Sequence, residues 1–201
     1  MKKILAAKKH GAKVVAIDHM RSEMAQKAHQ WIAIRPGTDG ALALGMLRTV
    51  INEGLYDRDF AEKWTHGFGA LGEYVQSFTP EEVERITWVP AKVVVETARA
   101  IASAKHATFN TYTGLEYSNC GVQSLRALLI LFAVTGNLDV PGGLLLRAKG
   151  KSPYHRTNLE PPISPKPIGY DRYPLFCELT KSAQFMEVPR AILNGDPYPI
   201  K

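Results

Sequence analysis

The stretch VVAIDHMRSEMAQKAHQWIAIRPGTDGALALG, residues 14–45, decides the fold. Residues 12–18 (AKVVAID) are a short, β-branched apolar run, which predicts a buried strand ending at Asp18. Residues 22–29 read as a helix with Ala25 and Ala28 facing inward. WIAI, residues 31–34, is a second short strand. Pro36-Gly37-Thr38-Asp39 then makes a tight turn, and residues 40–53 follow as a mostly buried helix closed by Gly54. Strand, helix, strand, helix in this order predicts an α/β fold, with a parallel sheet flanked by helices.

The same reading extends outward. Residues 2–10 form a helix stopped by Gly11. From 55 to 104 the pattern is helical, with one helix opening at Asp57. Thr79-Pro80-Glu81-Glu82 is a capping box with proline at the first helical position. Pro90 opens a helix over 91–104 with Val94, Ala98 and Ile101 on one stripe. ATFNTY (107–112) reads as a further strand running into Gly114. VQSLRALLILFAV (122–134) is too apolar for a surface helix, which predicts a central one ended by Gly136. Beyond Gly150 prolines accumulate in SPYHRTNLEPPISPKPIGYDRYP (152–174), an irregular segment crossing in extended form. A last helix over 182–194 ends at Gly195, and DPYPIK reads as the lead-in to another strand. The chain thus divides into an α/β region at 1–146, a proline-rich crossing at 147–181, and a helix with a strand lead-in at 182–201.

Composition narrows the function classes. Apolar residues are 45% and charged residues 22% of the 201, the balance of a packed globular chain rather than a disordered one. No apolar run approaches the roughly 20 residues of a membrane span, and MKKILAAKKHGAK has no apolar core of a secretory signal. The net charge of +6 suits an anionic ligand or an acidic neighbour, but on charge alone a solvated lysine-rich surface is the simpler account. The lysines are scattered with no basic–aromatic stripe, which argues against nucleic acid. Cys120 and Cys177 form no CxxC pattern, and the six histidines do not cluster, so neither a structural zinc site nor an iron–sulfur centre is expected from them.

The candidate ligand residues lie where strands end. In open α/β sheets ligands bind beyond the carboxyl ends of the strands, and an acid there often holds ribose hydroxyls. Asp18 has that position; it could instead cap the helix at 22–29, although Ser22 can do so in its place. In the second turn, Thr38 or Asp39 can cap the following helix, for about 1 kcal/mol. The same turn can hold a ligand. Gly37 admits a close backbone approach, and the Asp39 carboxylate can accept from the ring N–H and amino group of guanine, a donor pair adenine lacks. Thr113-Gly114 follows the expected third strand on the same edge. There is no GxSxG, no HExxH and no GxxxxGK[ST], so no catalytic nucleophile, metallopeptidase motif or phosphate loop is indicated.

The order of GAKVVAIDHMRSEMAQKAHQWIAIRPGTDGALALGML, INEGLYDRDFAEKWTHGF, ITWVPAKVVVETAR, GVQSLRALLILFAVTGNLDVPGG and ILNGDPYPIK resembles the molybdopterin oxidoreductases of the dimethyl-sulfoxide-reductase family. The likeness covers nearly all of residues 4–201 and is strongest to thiosulfate or polysulfide reductase and acetylene-hydratase-like members. It implies a partial, Rossmann-like domain of a larger multidomain enzyme, holding one guanosine arm of a bis(molybdopterin guanine dinucleotide) cofactor with molybdenum or tungsten. On the family's pattern Ile17, Asp18 and His19 fall on a first guanosine loop, and Gly37, Thr38 and Asp39 on a second. Thr113 and Gly114, with Tyr117, fall on a loop facing the pterin.

Where the family usually has Pro-Arg after the strand-ending aspartate, this chain has His19 and Met20, while Arg21, Ser22 and Glu23 keep the pattern. The resemblance also implies that the molybdenum ligand, a [4Fe–4S] cluster and further domains belong to segments other than these 201 residues. This chain alone is then not expected to be active and itself carries no catalytic or metal-ligating residue. Its partners would be the remaining domains of the catalytic subunit and, for the parent, an iron–sulfur electron-transfer subunit. No nucleic acid or membrane insertion is expected. The alternative is a non-catalytic nucleotide-binding or assembly module from a split or degenerate gene.

Overall fold

The computed structural model describes residues 1–146, 166–180 and 182–200. The chain separates into two compact units, Met1–Lys149 and Gly150–Lys201.

The first unit is mostly helical around a small parallel sheet. Its elements run α1 (Lys2–Lys9), β1 (Val15–Asp18), α2 (Glu23–Lys27), β2 (Gln30–Ala33), α3 (Asp39–Asn52) and α4 (Arg58–Trp64). They continue with α5 (Phe68–Tyr74), α6 (Pro80–Thr87), α7 (Ala91–Ser103), α8 (Thr113–Glu116) and α9 (Gly121–Val134). β1 and β2 pair in parallel with Val15 opposite Gln30 and Asp18 opposite Ala33, so both strands deliver their carboxyl ends to one edge. Pairing aligns the strand ends; the short crossover through α2 makes them neighbours, as the strand–helix–strand pattern requires.

α3 is the centre of the unit. Leu42, Met46, Leu47 and Val50 recur at helical spacing and are buried against α6, α7 and α9. The core continues through Ile32, Ile34, Val75, Val83, Val89, Val94, Ala98, Leu131, Phe132 and Val134. Gly45 lets α6 approach closely, because a Cβ on it would stand 2.6 Å from Val83 Cγ2. Helix starts follow their sequence signals. Asp57 accepts from Phe60 N (2.9 Å) and Thr79 from Glu82 N (3.2 Å). The capping box is only half formed, since the Glu82 carboxylate is drawn to Arg85 at 2.8 and 2.6 Å.

Three expectations are corrected in this unit. Residues 107–112 are not a strand. The Ala107 amide donates to Asn137 Oδ1 (2.7 Å), and Phe109 packs edge-on against Phe132, so a side chain takes the hydrogen bond that a neighbouring strand would have supplied. α9 is not buried all round. Ala127, Leu131, Phe132 and Val134 point into the core, while Val122 is 80% exposed. A largely apolar sequence here reflects one core face and one outward apolar face. Nor is α3 capped by a side chain: the Thr38 hydroxyl donates to the Arg35 carbonyl (2.6 Å) instead of accepting from the helix.

In the second unit, α10 (Pro174–Thr180) occupies residues read from the sequence as part of an extended crossing; positions 147–165 and 181 of that segment lie outside the described residues. The helix expected over 182–194 is a 3-10 turn at Phe185–Glu187 followed by α11 (Val188–Asn194). Buried Glu187 sets its position: Arg172 donates to it (3.3 Å), and Arg190 lies 2.7 Å from its other oxygen while also gripping Asp171 at 3.0 Å. Asp171 is held below its ordinary carboxylate range: burial alone would raise it, and the Arg190 hydrogen bond and charge outweigh that.

Candidate functional site

Ile17, Asp18 and His19 leave β1 next to the turn that leaves β2. Ile17 pairs with Ile32 in the ladder and is partly exposed. Asp18 is free of capping duty, because Ser22 Oγ accepts from Ala25 N. Its Oδ1 instead accepts from Met20 N (3.2 Å) and lies 3.2 Å from His19 Nδ1. Both contacts use the same oxygen, and the Asp18 side chain is partly exposed. The Asp18 carbonyl accepts from Trp31 Nε1 (3.0 Å), which ties the end of β1 to β2.

The second turn is built around Arg35. Its N–H donates to the Thr87 carbonyl (2.9 Å), and its own carbonyl accepts from both Thr38 N (3.3 Å) and Thr38 Oγ1 (2.6 Å). Gly37 stands at φ +78°, a left-handed conformation that glycine adopts without steric cost. A Cβ at Gly37 would meet nothing within 4 Å, so the glycine serves the turn and the space over it is open.

Asp39 opens α3 half-buried. Burial raises its pKa above the ordinary 3.8, because desolvation disfavours the charged form. A hydrogen bond to its own main chain and the nearby His19 offset this only in part. The result is a half-buried carboxylate with His19 nearby, two residues from the open space over Gly37. Asp18, His19, Gly37, Thr38 and Asp39 are therefore brought to one edge.

Thr113 and Gly114 stand in α8, and Tyr117 follows it, 83% exposed. α8 packs on α9, which in turn packs on α3. α8 packs on Gly121, where a Cβ would stand 2.0 Å from the Glu116 carbonyl oxygen. One turn on, Ser124 packs on Gly40 at the start of α3. Among the described residues no group of three or more His, Cys, Asp or Glu side chains could hold a metal ion, and no helix is long and apolar enough to cross a membrane.

Two features escaped the sequence reading. Arg21 lies over the Trp31 ring at 6.0 Å, and Arg35 over the Trp88 ring at 5.3 Å. An arginine beside each strand-end loop was visible, but the rings beneath them come from elsewhere in the chain.

Residues 1–170 match the family model for molybdopterin oxidoreductase. The thiosulfate reductase molybdopterin-containing subunit PhsA of Salmonella typhimurium is 36% identical over 76% of this chain and 20% of its own length. Acetylene hydratase of Syntrophotalea acetylenica is 36% identical over 71% of this chain and 20% of its own. Formate dehydrogenase H of Escherichia coli is 37% identical over 69% of this chain and 19% of its own. The solved structure of acetylene hydratase from Pelobacter acetylenicus superposes with a TM-score of 0.72 at 26% identity, covering all of this chain and 31% of that one. The chain spans about a fifth of the length of the curated relatives it matches.

Proposed function

From the premise that this chain belongs to the molybdopterin oxidoreductase family, we propose that its β1–β2 edge holds one guanosine arm of a bis(molybdopterin guanine dinucleotide) cofactor. Membership implies a molybdopterin carrying molybdenum or tungsten, and that group, when bound, supplies the two-electron chemistry of the parent enzyme. The role of this chain's own residues is to bind and orient. Asp39 accepts from the guanine N1–H and amino group. Asp18, with His19 beside it, receives ribose hydroxyls at the end of β1, and Ile17 flanks that loop. Gly37 and Thr38 shape the turn that leaves room for the base. Thr113, Gly114 and Tyr117 line the route toward the pterin.

The observation that carries this reading is the Asp39 carboxylate: half-buried, raised in pKa by that burial, relieved of capping, and next to open space over Gly37. A half-buried carboxylate with acceptor capacity to spare is suited to the paired donors of a guanine edge, which an adenine edge lacks.

The region 1–146 is then a partial cofactor domain, and 182–201 a helix leading toward a further strand, of a larger catalytic subunit. Its partners are the other domains of that subunit and an iron–sulfur electron-transfer subunit, which fits relatives whose names describe them as subunits.

The test is calorimetric titration of the 201-residue chain with GDP and ADP. GDP is expected to bind tighter, and Asp39→Ala to erase the preference. Equal affinities in the wild type overturn the assignment.

A further inference from the structure

We infer that Arg35, held in place by the ring of Trp88, is the cation that receives the phosphates of the nucleotide at this edge, with Trp88 as its positioning residue. The inference rests on the guanosine reading and adds to it a phosphate subsite.

Three observations carry it. The first is charge. The edge has two acids suited to neutral donors, Asp18 and Asp39, but a nucleotide also brings an anionic phosphate chain that needs a cation. His19 is engaged with Asp18. Among the described residues no carboxylate lies within 4 Å of the Arg35 guanidinium, although most arginines that pair at all in this chain do so with acids, as at Arg85, Arg99, Arg172 and Arg190.

The second is placement. Arg35 is the anchor of the Pro36–Asp39 turn: its amide is fixed by the Thr87 carbonyl, and its carbonyl takes both Thr38 donors. The main chain of Arg35 is thus fixed in the loop that carries Asp39, and its guanidinium stands over the Trp88 ring at 5.3 Å. Arg21, the other unpaired arginine at the edge, sits farther from its ring, at 6.0 Å against 5.3 Å, and its carbonyl accepts from Gln26 outside the turn.

The third is backbone strain. Trp88 stands at φ +66°, in the left-handed region that bulky residues avoid. The position ends α6, where glycine would serve without strain. Tryptophan there gains little by burial, since it is 67% exposed. What the conformation achieves is a ring turned under the Arg35 guanidinium. Stacking leaves the edge N–H groups of a guanidinium free to donate in its plane, and it removes much of the freedom that an exposed arginine would lose on binding. Residues held in sparsely populated backbone conformations cluster at active sites and ligand clamps.

The experiment compares guanosine, GDP and ADP binding to the full chain by calorimetry. A charge-assisted contact predicts that wild type binds GDP about tenfold or more tighter than guanosine. Arg35→Gln is expected to reduce that ratio to near one while the preference for GDP over ADP persists. Trp88→Gly, which relaxes the left-handed position and so keeps the fold, should lower the GDP-to-guanosine ratio about threefold, in line with the value of an exposed cation–π contact. Trp88→Phe should restore most of it. A ratio unchanged in Arg35→Gln overturns the phosphate role. A ratio unchanged in Trp88→Gly overturns the positioning role. Loss of the GDP-over-ADP preference in the wild type is a different result: it removes the guanosine reading and this subsite with it.

Discussion

The two sides of the first unit are built on opposite terms. On the helical side, Leu47, Val50, Val83, Val94 and Leu131 are fully buried and apolar, and the glycine at 45 exists so that two helices can close. On the sheet edge Asp39 is half-buried, two arginines have no acid partner among the described residues, and a tryptophan is held in a strained, exposed conformation. The helical side is arranged for stability alone. The edge carries features that weaken the free protein and make sense once a polar, anionic ligand is present. Substitutions should separate the two cleanly.

The largest effect belongs to the helical side. Leu47→Ala should destabilise by about 2–5 kcal/mol, the cost of a core cavity that tight surroundings cannot close. Chemical denaturation would register this as a fall in midpoint at unchanged slope. A loss below about 1 kcal/mol would mean that α3 is not the centre of the core.

A smaller effect is expected where the core meets the irregular segment at 104–111. Asn137 is 1% exposed and uses its whole amide: Oδ1 accepts from Ala107 N, and Nδ2 donates to the Thr135 carbonyl and hydroxyl. Asn137→Ala strands these groups and should cost about 2–3 kcal/mol, less than the core cavity at its worst. Hydrogen exchange should also show Ala107 losing protection. Retained protection there would point to a backbone partner in place of the side chain.

This residue also marks where the sequence stopped being legible. The strand–helix–strand order, α3 and the helix starts at Asp57 and Thr79 were readable because periodicity and capping are local signals. Asp18 and Asp39 were readable as ligand candidates because strand-end position is a local signal too. Residues 107–112 have strand-like composition, yet their fate depends on an asparagine thirty positions away, which no local pattern reports. α9 misled for a related reason: an apolar helix face looks the same whether it meets a core or points outward, and Val122 points outward. The pairing of Arg35 with Trp88 is a contact between distant segments, and nothing in ITWVP marks its tryptophan as left-handed. In α10, helix forms inside a stretch whose prolines suggested extension, because Pro174 sits at its first position, where proline is tolerated.

The smallest effect is the most specific to the edge, and its sign is opposite. The folded-state pKa of Asp39 is raised above 3.8, chiefly by burial. Between that ordinary value and the raised one, the folded chain binds more protons than the unfolded chain. Stability contributed by this group is therefore fully present below pH 3.8, declines as pH rises through the raised value, and stays reduced at neutral pH. Asp39→Asn keeps the shape and removes the charge, so it should leave stability at low pH unchanged and raise it slightly at pH 7, by less than the Asn137 loss. Denaturation midpoints of the two proteins at pH 3 and pH 7 would measure it. An asparagine variant less stable at pH 7 would show that the charge is favourable in the free protein, through the first turn of α3 or His19, and that burial does not dominate. The same ionisation governs binding from the other side. GDP needs the carboxylate, so its affinity should fall as pH drops through the raised pKa, and the asparagine variant should have lost the guanine preference at every pH. A gain in stability together with a loss of selectivity, from one atom exchanged, is the signature of a residue kept at this edge for its ligand rather than for the fold.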